Sequence, residues 1–186
     1  DCSIQALTKY VGGHSDILLG SATVNSDEDH LTLRSTASLL GQYASPDDCW
    51  LALRGVRTMA MRLAAQEAAG LRVARWLEAR PEVKQVLHPA LPSHPQHHLW
   101  KRDFTGACSL FGVLFQPRYT EADIHRFVDD LQLFGIGASW GGYESLALPT
   151  NAGIVRRVTP GLPSQAVRLH IGLESVTDLL ADLEAS

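Results

Sequence analysis

The chain has 186 residues, 16 basic and 20 acidic, a formal net charge of −4 and no run of Lys or Arg, so no cation cluster offers a surface to nucleic acid or an anionic membrane. With 45% hydrophobic and 19% charged residues it is composed like an ordinary globular protein. Its apolar stretches fall short of the ~20 residues that span a bilayer, and no leader-like apolar segment opens it, so a cytoplasmic protein is expected.

Residues 3–7 read as the end of a short strand, and 8–15 as a glycine-containing loop around Thr8 and Lys9. Residues 16–24, rich in Ile, Leu, Ala and Val, read as a buried strand. Asp27, Glu28 and Asp29 precede an amphipathic helix over about 30–43, where early acids suit the helix dipole. Ser45-Pro46-Asp47-Asp48 is a helix start with Ser at the N-cap and Pro at the first turn. That helix can run to Ala79, with Arg80-Pro81 as its stop and Gly55 as the expected bend. At ~1.5 Å per residue it is a rod of roughly 50 Å, suited to bridging two domains.

Beyond it, residues 83–87, 109–116, 135–139 and 166–171 read as strands, with Gly141-Gly142 as a turn. Helices are expected over 120–133, weakly over 151–158, and from Ser175 onward. Short connections between mixed elements favour an α+β domain with a mainly antiparallel sheet. Cys2, Cys49 and Cys108 are widely spaced, with no CxxC, and are expected to be buried, reduced thiols. His94, His97 and His98 cluster in a proline-rich stretch from His88, which reads as a solvated loop, since no Cys or carboxylate sits among them to complete a metal site. No metal is expected.

Two positions carry chemistry. Lys9 ends a strand beside Gly12 and Gly13 and ahead of an apolar run, where partial desolvation would make its amine available as nucleophile or base. By spacing alone, a solvated loop lysine is the commoner case. Arg168 alternates with Val167 and Leu169 in an otherwise apolar strand, so it needs an anionic partner or a cavity. Its planar fork suits a bidentate grip on a carboxylate. A structural Arg paired with a neighbouring acid is the alternative.

Three motifs then stand in order. Ser3-Ile-Gln-Ala-Leu-Thr-Lys-Tyr-Val-Gly-Gly-His-Ser-Asp16 resembles the Schiff-base lysine segment of the Cys/Met-metabolism family of pyridoxal-phosphate enzymes. Ser139-Trp-Gly-Gly-Tyr-Glu-Ser-Leu146 resembles its Ser-x-Gly-Gly-x-Glu-Ser turn, with the Trp of the bacterial β-lyase group where γ-lyases and γ-synthases usually carry leucine. Val167-Arg-Leu-His-Ile-Gly-Leu-Glu174 resembles the strand that supplies the carboxylate-binding arginine. Less specific stretches over 53–58, 88–92 and 100–106 also fit. Ala6 departs from the serine of many members, losing one phosphate hydroxyl, a departure that bacterial β-lyases often share.

The resemblance implies an α/β, fold-type-I pyridoxal-phosphate transferase-like protein. Residues 1–55 would be the end of the large cofactor domain, and 56–186 the bridging helix and the small C-terminal domain. Lys9 would carry pyridoxal phosphate and act as the catalytic acid and base, and Thr8 would hydrogen-bond the phosphate. Arg168, helped by Ser139, would hold the substrate carboxylate, with Trp140 in the pocket wall. The implied reaction is α,β-elimination of L-cystathionine, with a γ-lyase, a γ-synthase or a non-catalytic fragment as alternatives. The family's other cofactor contacts lie upstream of the lysine, so this piece alone is expected to be inactive, to expose apolar surface, and to belong to a homo-oligomer, a tetramer in the family.

Overall fold

The computed structural model describes residues 1–150, 157–158, 163 and 165–186. The chain divides into two compact units, Asp1–Ala60 and Met61–Ser186.

In the first unit, β1 (Cys2–Ala6) pairs antiparallel with β2 (Gly20–Val24), with Cys2 opposite Val24 and Ala6 opposite Gly20. Between them the chain turns tightly: Gly12 N–H donates to Leu7 O at 2.8 Å and Gly13 N–H to Lys9 O at 2.8 Å. Gly13 takes φ 72°, a left-handed value that a Cβ disfavours. Helix α1 (Asp27–Leu39) is capped by Ser26, whose Oγ accepts from Asp29 N–H at 3.1 Å. Its start thus lies three residues before the expected one. Ser26 takes the N-cap, so Asp27, Glu28 and Asp29 form the first turn instead of preceding the helix.

The expected buried strand over 16–24 is corrected. Only Gly20–Val24 is extended, and neither β1 nor β2 holds a buried residue. Apolar composition predicts burial only where a partner surface covers it, and a two-stranded ribbon offers little cover. Large side chains stand open in this unit, among them Leu18 at 87%, Leu39 at 87% and Tyr43 at 81% exposure. The cysteine expectation is corrected in its burial alone: Cys2, Cys49 and Cys108 are free, but all three are exposed.

Helix α2 (Pro46–Glu78) begins in the first unit and ends in the second as one continuous element, with Asp47 N–H capped by Ser45 Oγ at 3.2 Å. The second unit adds β3 (Val83–Leu87), α3 (His97–Asp103), β4 (Leu110–Phe115), α4 (Glu121–Asp130), β5 (Gly135–Ile136), β6 (Leu146–Pro149), β7 (Ala166–His170) and α5 (Val176–Ala185). The sheet order is β3-β4-β7-β6-β5, antiparallel throughout except for the parallel β5–β6 pair. Strand β7 therefore lies inside the sheet, with Arg168 opposite Gly112 on one side and Leu148 on the other.

Its core joins Val73 and Leu77 of α2, Ile124 and Val128 of α4, Leu179 of α5, and Phe111, Val113, Val167 and Leu169 of the sheet. Thr120 closes a capping box with Asp123 at the head of α4. The expected wholly irregular proline-rich loop is corrected at its end, where His97 and His98 begin α3. The strand expected over 135–139 shortens to two residues. The helix expected over 151–158 falls outside the described residues, except at 157 and 158, which form a bend. Among the described residues no helix is long and apolar enough to cross a membrane.

Candidate functional site

The structure brings Thr8 and Lys9 together on one loop of the first unit, and Ser139, Trp140 and Arg168 together in the second. Lys9 is half-buried in the turn that follows β1, with its N–H donating to Ala6 O at 3.1 Å. The loop is pressed against α2 at Gly55: a Cβ built there would lie 2.2 Å from Val11 O and 2.4 Å from Gly12 O. Backbone packed on backbone thus helps to fix the loop that presents the lysine. His14 Nδ1–H donates to Gly12 O at 2.8 Å and holds the far side of the loop.

Thr8 Oγ donates to Leu19 O at 3.1 Å and accepts from Leu19 N–H at 2.9 Å. Its proton therefore closes the loop onto the residue before β2. To donate to a phosphate, it has to turn away from Leu19 O. Half-buried Lys9 on a fixed loop fits pyridoxal phosphate as it stands, and Thr8 fits it after that exchange.

In the second unit, Arg168 is partly buried on β7. Its Nη2 donates to Gly137 O at 3.0 Å and Ser139 O at 3.3 Å, and its guanidinium carbon lies 5.6 Å from the centroid of the Trp140 ring. Burial pulls its pKa below the ordinary arginine value, but a guanidinium stays charged. Among the described residues no carboxylate lies within ion-pair distance of it. Carbonyls and an aromatic face orient the cation without neutralising it, which leaves its charge for an anionic ligand.

The turn beneath this cation is heavily tied, by residues that sequence reasoning did not single out. His170, two residues from Arg168 on the same face of β7, accepts at Nε2 from Gly141 N–H at 2.9 Å and donates from Nδ1 to Glu144 O at 3.1 Å. Gln66 of α2, with 0% exposure, donates from Nε2 to Gly142 O at 2.7 Å. Glu174 accepts from Ser145 N–H at 2.6 Å and from Ser145 Oγ at 2.8 Å, while Ser145 Oγ accepts from Gly172 N–H at 2.9 Å. His170 and Glu174 lie inside the third motif, and the strand's period of two was the signal that puts His170 beside Arg168. Gln66 had no such signal in the sequence.

A family model described as Cys/Met metabolism PLP-dependent enzyme matches residues 1–186. A cystathionine beta-lyase of Bordetella avium is 46% identical over 183 residues, covering 97% of this chain and 46% of that protein. A cystathionine gamma-lyase of Rattus norvegicus is 40% identical over 189 residues, covering 98% of this chain and 47% of that protein. The crystal structure of a cystathionine gamma synthase of Xanthomonas oryzae pv. oryzae, in complex with cystathionine, superposes with a TM-score of 0.90 at 34% identity. It covers all of this chain and 49% of that one. The chain thus spans about half the length of the curated relatives it matches.

Proposed function

The chain belongs to the Cys/Met metabolism PLP-dependent enzymes, and from that premise we propose that it serves a carbon–sulfur lyase cleaving L-cystathionine, with water, to homocysteine, pyruvate and ammonia. The observation that carries the reading is Arg168, a desolvated cation oriented by Ser139 O and the Trp140 ring, with no acid beside it among the described residues. Such a fork grips an α-carboxylate in two places and fixes the rotation of the amino acid about Cα. Ser139 and Trp140 line that grip, and Trp140 favours the β-lyase group.

Lys9 and Thr8 are the residues of this chain that would hold pyridoxal phosphate, by its aldehyde and its phosphate respectively. When bound, the cofactor supplies an electron sink for negative charge at Cα. Lys9 serves as the base that takes the Cα proton and as the acid that returns one to the departing sulfur. The domain reading, residues 1–55 for the cofactor and 56–186 for the substrate carboxylate, belongs to the same proposal. So do a homotetrameric assembly, a cytoplasmic place and a requirement for further cofactor contacts beyond those of this chain.

The relative named a gamma-lyase, at 40% identity, keeps a second reading in view, cleavage of the Cγ–S bond. Product analysis separates them. Incubated with L-cystathionine, the complete holoenzyme carrying this sequence is expected to release pyruvate and homocysteine. Release of 2-oxobutyrate and cysteine would assign the γ-lyase instead. Borohydride reduction with pyridoxal phosphate, followed by peptide mapping, tests Lys9 directly, and a label on Lys84 or Lys101 in its place would overturn the assignment.

A further inference from the structure

His170 is 1% exposed and spans the 139–145 turn from beneath, with one ring nitrogen on each limb. Accepting from Gly141 N–H fixes Nε2 as the unprotonated nitrogen, and donating to Glu144 O fixes Nδ1 as the protonated one. Only the neutral ring can make both bonds. The Ser139 carbonyl that orients Arg168 lies two residues before Gly141, so the position of that carbonyl depends on the Gly141 bond.

We propose that His170 is a positioning residue for the substrate carboxylate, whose neutral ring locks the 139–145 turn under Arg168 and whose protonation releases it. The inference rests on the reading of Arg168 as the carboxylate ligand. Protonated, the ring would present N–H to the Gly141 N–H, donor against donor, and add a positive charge two residues from Arg168. The turn would lose its tie at Gly141, and the Ser139 carbonyl its fixed place.

The charged groups that face the ring are Glu144 from the turn, Glu174 from beyond β7, and Arg168 from β7 itself. The flanking strands bring only Leu110 and Leu146 opposite it. Burial outweighs the two acids and holds the imidazole below its ordinary value of 6.5, so the locked, neutral form is the one present at neutral pH. The device loosens as pH falls through that lowered value.

Two measurements test it. In the complete holoenzyme, KM for cystathionine is expected to rise about tenfold on acidification from about pH 7.5 to 5, the loss expected from one buried hydrogen bond. His170→Gln offers a side-chain oxygen to Gly141 and cannot titrate, and should flatten that rise. If the acid rise in KM persists unchanged in H170Q, His170 is not its source and the inference falls. Arg168→Lys in the same assay separates the layers. Should R168K leave KM untouched, the carboxylate reading itself fails, whereas a raised KM in R168K beside an unflattened H170Q overturns the His170 role alone. The second measurement needs no activity: the Gly141 amide in the ¹⁵N spectrum of the wild-type chain should be protected from exchange at neutral pH and lose that protection as the His170 ring protonates. An amide exchanging freely at both pH values would overturn the proposal.

Discussion

Replacing Gly55 by alanine would set a methyl group 2.2 Å from Val11 O, 2.4 Å from Gly12 O and 3.0 Å from the Gly12 carbonyl carbon. All three are backbone atoms, which cannot rotate away as a side-chain tip can. The helix and the loop would have to part by roughly 1 Å, and close-packed interiors resist even small displacements. Overpacking of this kind costs about 1–3 kcal/mol. For a chain of this length each kcal/mol moves Tm by about 2–4 °C, so G55A should melt roughly 2–12 °C lower. A displaced loop should also present Lys9 less well, and borohydride labelling of Lys9 by pyridoxal phosphate should slow in parallel. Gly20→Ala is the control: its Cβ would meet only Gln5 O, at an ordinary 3.7 Å, so its Tm should stay close to wild type. If G55A matches wild type in both Tm and Lys9 labelling, the close approach of α2 does not hold the loop.

Arg168→Lys keeps the charge but loses the two-pronged fork. It should cut kcat/KM toward cystathionine roughly 30- to 1000-fold, about 2–4 kcal/mol, while Lys9 still takes up the borohydride label; near-normal kcat/KM, or loss of the label, would refute the carboxylate role. Gly172→Ala puts a methyl 2.2 Å from Tyr143 O and 2.6 Å from the Glu144 carbonyl carbon. It should raise KM more than it lowers kcat, and a changed kcat with unchanged KM would count against the turn as a substrate element. Burial holds both His88 and His170 below 6.5. Below that value the unfolded chain therefore binds protons that the folded one refuses, and stability falls as pH drops through it. Each histidine contributes up to about 1.4 kcal/mol per pH unit. The urea midpoint should therefore decline from pH 7.5 to 5.5, and a flat midpoint would show that neither ring stays neutral on folding.

Helix α2 could be read from end to end because its signals are local: Ser45 caps it, Pro46 starts it, Arg80-Pro81 stops it and no proline interrupts it. The central strands β4 and β7 were readable from their apolar runs, and Arg168 announced itself by breaking one. The first unit read less well. Residues 16–19 have a strand's composition, but a strand needs a neighbour to hydrogen-bond, and only Gly20–Val24 finds one in β1. Burial held there only at Ile17, while Leu18 lies open although its type belongs to a core. Helix α3 escaped notice because prolines dominate the residues just before it. Gln66 escaped because a polar residue within a long helix reads as a solvent face until the turn it supports is folded against it.

The two glycines whose replacement is predicted to hurt share a physical role that neither composition nor periodicity discloses. Gly55 lies in helix α2 and Gly172 just beyond strand β7, and neither is among the positive-φ glycines of the described chain. Each is needed for the space a Cβ would occupy, and in each case that space holds the backbone of a loop bearing candidate site residues: Val11 and Gly12 beside Lys9, Tyr143 and Glu144 beside Ser139 and Trp140. Backbone pressed on backbone orders a loop without freezing long side chains, so the entropy lost per contact is small. Buried hydrogen bonds from Gln66, His170 and Glu174 then fix the second loop's direction. An arrangement of this kind preorganises Arg168 before any ligand arrives. Loss of Gly172 should therefore show first in ligand affinity, and loss of Gly55 first in the labelling of Lys9.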